Sequence, residues 1–498
     1  MLAAENSAVG RGTDFAGLME QAGTACAAII DGECAGEKKN ILIISGKGKN
    51  GGDGFVIARI LSSKGHGVKV LLPCGRPKDE ISSANLNLLD GSIIYETADY
   101  QPLIDESDII TDAVFGTGFS GCLDEKLSAL ASAVNASGKR IIAVDVPSGA
   151  NCDTAEIQGE CFRADLTIAI SALKPVHVIK PACEVCGQVT VADIGIIPGD
   201  FGSAEGILRY TLDEEDIKKI LPARKAFSHK GTYGTALCVC GSYRMPGAAK
   251  IASSGAVKSG AGLVVSAFPD AAYSAIAPFI TEQVMLPCPS DETGGFRLSA
   301  FDILTDKAAS SSSALIGCGL GLSRETKKLV RKFVTHTEIP TVIDADALNA
   351  VSEEPEILKR AKAPLILTPH PGEMSRLTGK SADEILSDPV KAAKEFAEKY
   401  GCILVLKGAN TAVAQSGDDK VYVNITGNSG LAKGGSGDLL SGIIVSLLAQ
   451  GMSAYSAAVS GVFIHSGCAD EVAALMSERG MTVTDIISHL PYYLGRFE

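Results

Sequence analysis

The 498-residue chain has no tryptophan, and aromatic residues make up only 5% of it. A core so poor in large rings must be closed by Val, Ile and Leu, with Ala, Gly and Ser between them. That is the profile of helices laid closely on a sheet. No apolar run reaches the ~20 residues a membrane helix needs, so no membrane partner is expected. Basic clusters are missing too: 45 Lys and Arg stand against 58 Asp and Glu, a net charge of −13. This argues against extended contact with nucleic-acid backbone, and the acidic surplus reads as plain solubility. The opening stretch MLAAENSAVGRGTDF lacks the basic start and continuous apolar core of a secretory signal. The 14 cysteines are scattered, and the single CxxC, Cys183 to Cys186, has no second pair at zinc-ribbon spacing. Many unpaired thiols without a signal point to a reducing, cytoplasmic setting.

The length calls for two domains. We place them at 1–205 and 213–498, separated within the Gly-, Pro- and acid-rich stretch Asp193–Arg224, which has no strand rhythm. The first half alternates short apolar runs with helical patterns. Candidate strands are Asn40–Ser45, Val68–Leu72, Ser107–Val114, Arg140–Val144 and Asp165–Ile170, after a first helix FAGLMEQAGTACAAII. Continuous apolar strands are buried on both faces, so a parallel sheet is expected. The second half repeats the rhythm: GTALCVCG, LVVSAFP, SALIGCG, PTVIDAD, PLILTP and CILVLKG read as strands. GAAKIASSGAVKSGAG, GSGDLLSGIIVSLLAQG and SAYSAAVSGVFIHSGCADEVA read as helices.

Two glycine-rich loops stand out. GKGKNGGDG, Gly46–Gly54, follows the strand NILIIS and leads into the helical FVIARILSSKG. Glycines permit positive φ and close approach of a ligand to the amides, while the following helix aims its free N–H groups at an anion. The spacing fits neither a P-loop nor G-x-G-x-x-G, and a plain structural turn is an open alternative. Other strand ends favour a site. TDAVFGTGFSG and AVDVPSG bring Asp112, Asp145 and Ser148 to the carboxyl edge where Asn50 and Asp53 also lie. Their oxygens suit a hard cation, and one carboxylate could serve as acid or base.

These residues resemble the NAD(P)H-hydrate epimerase domain. GKGKNGGDGFVIAR, DAVFGTG and DVPSG follow that family's motifs in order, over roughly Phe15–Gly195. The resemblance implies Rossmann-like topology and a K+ ion held by Asn50, Asp112 and Ser148. It places the hydrated nicotinamide nucleotide against Lys49, Asn50, Gly51, Gly52, Asp53, Gly116, Thr117, Gly118, Phe119, Ser120, Gly121, Cys122 and Asp145, with Asp145 moving the proton. Lys49 stands where the family usually has Asn. Only LMEQAG matches the family's N-terminal helix, a segment tied to dimer contacts; a homo-oligomer is expected.

GNSGLAKGGSGDLLSG, Gly427–Gly442, is the second loop. Its amides could cradle a phosphoryl group, and Asp438 stands where it could take a proton from an attacking hydroxyl. A helix N-cap with Asp as the capping residue is the alternative. LTPHPGEM offers His370 and Glu373, and LKGANT offers a second glycine turn. This set, from Lys230 to about Val472, resembles the ribokinase-like superfamily, and within it the ADP-dependent NAD(P)H-hydrate dehydratase. The resemblance puts Lys407, Gly408, Ala409, Asn410, Thr411 and Gly437 at the adenine nucleotide. It puts Ala248, Gly319 or Gly321, His370 and Asp438 at the hydrated substrate. Leu431 and Lys433 replace the family's Met and Thr, and Lys433 could touch a phosphate.

The expected fold class is therefore α/β: an N-terminal Rossmann-like three-layer parallel sheet followed by a ribokinase-like α/β domain. Together the halves resemble the bifunctional NAD(P)H-hydrate repair enzymes. Those epimerise the R and S hydrates of NADH and NADPH and dehydrate the S hydrate with ADP, Mg2+ accompanying the nucleotide. The alternative is a ribokinase-like kinase of a small alcohol or vitamin precursor, fused to a non-catalytic Rossmann-like binding module.

Overall fold

The computed structural model describes residues 2–201 and 207–498. Contacts divide the chain into two units, Met1–Glu205 and Gly206–Glu498.

The first unit is a seven-stranded sheet. Its strands are β1 (Asn40–Ser45), β2 (Gly67–Leu71), β3 (Ile94–Tyr95), β4 (Ile109–Ala113), β5 (Arg140–Val144), β6 (Leu166–Ile170) and β7 (Gln188–Ala192), in the order β3-β2-β1-β4-β5-β6-β7. All pairings are parallel. β1 explains why NILIIS is continuously apolar: Ile41 and Ile43 enter one core with Cys26, Phe55 and Ile57, while Leu42 and Ile44 enter another with Leu127 and Leu130. The strand order reverses between β1 and β4, which opens a crevice at their carboxyl ends.

Four elements here differ from expectation. β3 is two residues long, and β7 carries alternating polar residues at a half-exposed edge, so neither has a continuous apolar run. Two helices precede the sheet, Leu2–Gly10 and Phe15–Glu33; the second is capped by Asp14, which accepts from the Gly17 amide. The helix after β1 begins at Lys49, inside the stretch read as loop. None of Gly46, Gly48, Gly51, Gly52 or Gly54 has positive φ. Gly46, Gly51, Gly52 and Gly54 are glycines because of crowding: a Cβ on Gly51 would lie 1.9 Å from the Gly46 carbonyl oxygen, and one on Gly46 2.0 Å from that of Val114, whereas Gly48 has open space around it.

The second unit holds a ten-stranded sheet: β8 (Leu208–Tyr210), β9 (Thr235–Val239), β10 (Leu263–Pro269), β11 (Val284–Cys288), β12 (Ser313–Ile316), β13 (Thr341–Ile343), β14 (Leu365–Leu367), β15 (Ile403–Leu406), β16 (Ala412–Gln415) and β17 (Lys420–Val423). Their order is β11-β10-β9-β12-β13-β14-β15-β16-β17-β8. β9 to β15 pair in parallel, with β16 antiparallel to β15 and to β17. β8 lies in the segment read as strandless; three residues pairing with an edge strand leave little periodic signal.

The helices Pro246–Lys258 and Ser436–Ala449 pack against each other through small residues. A Cβ on Gly442 would lie 2.2 Å from the Ala252 carbonyl oxygen, and one on Gly255 2.8 Å from a Leu439 methyl. This contact accounts for the abundance of Gly, Ala and Ser, because only such residues let two backbones come so near. Among the described residues no helix is long and apolar enough to cross a membrane.

Candidate active sites

The first cleft lies where β1, β4 and β5 end. Asp112, the penultimate residue of β4, is fully buried. One carboxylate oxygen accepts from the Ser148 hydroxyl at 2.7 Å and the Val114 amide at 3.1 Å; the other accepts from the Ser148 amide at 2.7 Å. Burial pushes its carboxyl up to about 6, against the pull of these hydrogen bonds. Asn50, in the first turn of Lys49–Ser63, gives its amide nitrogen to the Val144 carbonyl at 3.2 Å, so its amide oxygen is the atom left for a ligand.

Asp145 follows β5 with φ +66°, a left-handed conformation that costs a non-glycine residue about 1–3 kcal/mol. Such strain persists only where surroundings enforce it. Lys174 Nζ donates to Asp145 Oδ1 at 2.5 Å, and His177 Nε2 meets the Asp145 carbonyl at 2.6 Å. A Cβ on Gly116 would lie 3.1 Å from Asp145 Oδ2 and 3.3 Å from Asn50 Cγ, so glycine there keeps the space between the two open. Asp53, one turn along from Asn50, is also buried; desolvation first, then the charge of Asp145, holds its carboxyl well above the usual range.

The other residues expected at this cleft divide into three sets. Gly51 and Gly52 are packed into the helix start, Gly52 against Met19 and Ser82. Thr117 to Cys122 form a loop whose Phe119 stacks on Phe115 at 4.8 Å, with Gly118, Ser120, Gly121 and Cys122 exposed. Lys49 extends its ammonium over the Phe15 ring at 4.6 Å, 3.9 Å from Glu5.

The second cleft is built on the carboxyl ends of β9 and β12 to β15, facing the start of Ser436–Ala449. Asp344, just after β13, is 1% exposed. It accepts from Lys407 Nζ at 3.0 Å and from the Ser441 hydroxyl at 2.8 Å. Burial alone would raise its carboxyl, but the Lys407 charge and these donors hold it below the usual range. Lys407 also lies 3.9 Å from Glu373, and the two carboxylates keep its ammonium charged despite desolvation. A Cβ on Gly437 would sit 3.1 Å from Lys407 Nζ, so the lysine stands at the open end of the helix.

Asp438 occupies the first turn of that helix. Burial, then the neighbouring Asp344, push its carboxyl up to about 6. Ligand atoms of Cys318, Asp344 and Asp438 lie within 4.8 Å of one another. Ala248 and Gly319 are in contact, since a Cβ on Gly319 (φ +63°) would lie 2.7 Å from that of Ala248. The Gly321 amide donates to Asp346 at 2.8 Å.

His370 is half exposed and caps the helix Pro371–Thr378: its Nδ1 accepts from the Gly372 amide at 3.0 Å while its own amide donates to Glu373 at 2.9 Å. Gly408 to Thr411 form a tight turn, with Ala409 exposed and Asn410 Nδ2 donating to the Asn424 carbonyl at 3.1 Å. Lys433 is not left for a phosphate: its ammonium donates to the carbonyls of Glu478, Arg479 and Met481.

Sequence reasoning overlooked Lys174, His177, Cys318 and Ser441, and quoted Asp344 within the strand PTVIDAD without giving it a part. The signal available for Lys174 was its position: a lysine fixed before Pro175, four residues past a buried strand.

The geometry defines a class first. One unit carries a switch-point crevice lined by carboxylates, and the other a glycine-opened helix start with a lysine and an aspartate at its mouth; this is an α/β enzyme with two nucleotide-type sites. The profile of the YjeF-related protein N-terminus matches residues 16–176, and that of the NAD(P)H-hydrate dehydratase family matches residues 236–492. The bifunctional NAD(P)H-hydrate repair enzyme of Moorella thermoacetica is 38% identical over 97% of this chain and 92% of its own length. That of Escherichia coli is 35% identical over 91% and 85%. A crystal structure of the Bacillus subtilis ADP/ATP-dependent NAD(P)H-hydrate dehydratase, co-crystallised with ATP and Mg2+, matches with a TM-score of 0.50 and 33% identity, covering 59% of this chain and all of that one. An Enterococcus faecalis ribokinase-like superfamily protein shares the fold of the second unit at the same TM-score. The chain belongs to the bifunctional NAD(P)H-hydrate repair enzymes.

Proposed function

We propose that the chain returns hydrated NADH and NADPH to the intact cofactors. The first unit interconverts the R and S hydrates, and the second dehydrates the S hydrate while converting ADP to AMP and phosphate. The observation that carries the reading is Asp438 beside the Asp344–Lys407 pair at the start of Ser436–Ala449.

A carboxylate whose pKa lies near 6 is ionised at neutral pH, yet basic enough to take a proton from a hydroxyl. Asp438 removes the proton of the C6 hydroxyl of the hydrate as that oxygen attacks the terminal phosphorus of ADP, and AMP departs. Helix-start amides and Lys407 meet the charge that builds on the phosphoryl oxygens. The C6–O bond then breaks with phosphate as the leaving group, C5 loses a proton, and the C5–C6 double bond returns. Phosphorylation replaces hydroxide, a poor leaving group, by a good one. Mg2+, when bound with the nucleotide, would neutralise phosphate charge. The hard carboxylate oxygens at this mouth suit it, although Asp344 is already neutralised by Lys407.

In the first cleft the donor set suits K+. Asp112 is a buried carboxylate whose shift has no cationic side chain among its causes, and Ser148 and Asn50 add neutral oxygens. A cation there would offset the buried charge and anchor substrate hydroxyls. Asp145 lies across the gap at Gly116 as the proton-transfer group.

The test is a coupled assay with chemically hydrated NADH and ADP. Absorbance should return from both epimers with the parent enzyme and from neither with Asp438→Asn. Asp145→Asn should still use the S hydrate but not the R. Consumption of ADP with a small alcohol and none with the hydrate would overturn the reading in favour of a kinase.

A further inference from the structure

We propose that Lys174 and His177 form a two-point clamp on Asp145 that leaves Oδ2 as its single reactive oxygen. The inference rests on Asp145 being the proton-transfer group of the epimerase.

The clamp begins just past β6. Lys174 is 6% exposed, and its ammonium has three acceptors: Asp145 Oδ1 at 2.5 Å and the carbonyls of Ile170 at 2.8 Å and Ala172 at 3.3 Å. An ammonium with three donors and three acceptors is saturated, so it holds charge in place rather than passing a proton on. Oδ1 receives a further, longer hydrogen bond from the Ile170 amide at 3.3 Å. Oδ2 instead lies 3.1 Å from where a Gly116 Cβ would be, at the base of the GTG loop.

The second point of the clamp is the main chain. His177 Nδ1 accepts from the Lys174 amide at 3.0 Å, so the ring proton must sit on Nε2, which donates to the Asp145 carbonyl at 2.6 Å. The ring is buried; desolvation, then the Lys174 charge, lower its pKa to about 4, which keeps it a neutral, single-tautomer donor. One side chain therefore fixes the oxygen that must not react. The other fixes the left-handed backbone that turns the remaining oxygen toward the substrate loop. Both come from one four-residue stretch, locked by Pro175. They are positioning residues: neither reaches the reacting atoms.

The experiment compares His177→Phe, His177→Gln and Lys174→Met in the full-length protein. R-hydrate turnover is followed as NADH recovery with excess dehydratase, and S-hydrate turnover serves as the internal control. The clamp predicts that His177→Phe lowers epimerase kcat about 10- to 100-fold, because a misaimed base costs rate rather than binding. KM and S-hydrate use should stay near parental, while the melting temperature of the first unit falls because the Asp145 carbonyl and the Lys174 amide are left unpaired. His177→Gln, which keeps a donor at the Nε2 position, should recover most of the loss. Lys174→Met, which frees Oδ1, should lose at least as much kcat as His177→Phe. Parental kcat in His177→Phe, or an equal loss in His177→Gln with an unchanged melting profile, would overturn the clamp. Should His177→Phe fail to fold, His177→Gln and Lys174→Met decide: near-parental kcat in the first with a loss in the second supports the clamp, and any other pair of results overturns it. Asp145→Asn separates the layers. If it keeps R-hydrate turnover, the catalytic assignment itself fails; if it abolishes turnover while His177→Phe does not, only the clamp fails.

Discussion

Replacing Lys407 by Met strips the one ammonium from a buried carboxylate. In the native protein the ammonium lies 3.0 Å from Asp344 Oδ1, and Asp344 is 1% exposed. At that distance and an effective dielectric constant of about 20, the attraction is about 5 kcal/mol. The variant no longer bears the desolvation of the lysine, but Asp344 keeps its own burial with the Ser441 and Thr368 hydroxyls and a long Cys318 contact as its remaining support. Removing one partner of such a pair typically costs about 3–5 kcal/mol. At about 2–4 °C per kcal/mol, the transition of the second unit should fall by roughly 6 to 20 °C in calorimetry.

The sign of the pH effect follows from the directions of the shifts. Natively Asp344 is held low, so the pair's contribution is present above the unfolded carboxylate range, near ~4, and is lost as the pH falls through the still lower folded value. Without Lys407, burial, the largest influence, is opposed only by hydroxyl donors and raises the carboxyl, so protonation relieves the variant as the pH drops. The deficit against the parent should therefore be largest at pH 8 and shrink toward pH 5. The double variant Lys407→Met, Asp344→Asn should recover much of the loss. A deficit below about 1 kcal/mol, or one that does not change with pH, would refute the view that the pair is an electrostatic unit.

Dehydratase activity should rise with pH through about 6 as Asp438 ionises, and a profile flat from pH 5 to 8 would count against its role as the base. Gly51→Ala should lower the stability of the first unit by about 1–3 kcal/mol or more, since its Cβ would fall 1.9 Å from the Gly46 carbonyl oxygen; loss of R-hydrate turnover with S-hydrate turnover kept would mark it. KCl should raise the melting temperature of the first unit more than NaCl does, and Asp112→Asn should erase that difference. Lys433→Met should destabilise the segment around 478–481 without abolishing ADP binding, because its ammonium serves backbone carbonyls; a lost nucleotide site would restore it as a phosphate ligand.

Long buried strands were legible because alternate side chains of β1 enter two different cores, which forces an unbroken apolar run. β3, β8 and β17 were not, because short or edge strands need no such run. The glycines of Gly46–Gly54 announced themselves, but for the wrong reason: all but Gly48 relieve crowding at a helix start, and none adopts positive φ. Asp145, Asp112 and Asp438 could be picked out as acids at strand or helix ends. Lys174 and Asp344 could not, because their value comes from partners 29 and 63 positions away, which no local pattern encodes.

Each crevice draws its chemistry-bearing side chains from a single sheet and the segments that follow its strands: Asn50 to His177 in one case, Cys318 to Ser441 in the other. A lesion in either should therefore be curable from outside. Copies carrying Asp145→Asn, stirred together with copies carrying Asp438→Asn, ought to restore R-hydrate to cofactor as a mixture, with the S hydrate crossing through bulk water from one molecule to another. The lag before NADH emerges would then lengthen on dilution, and the intact chain would gain from linkage only proximity.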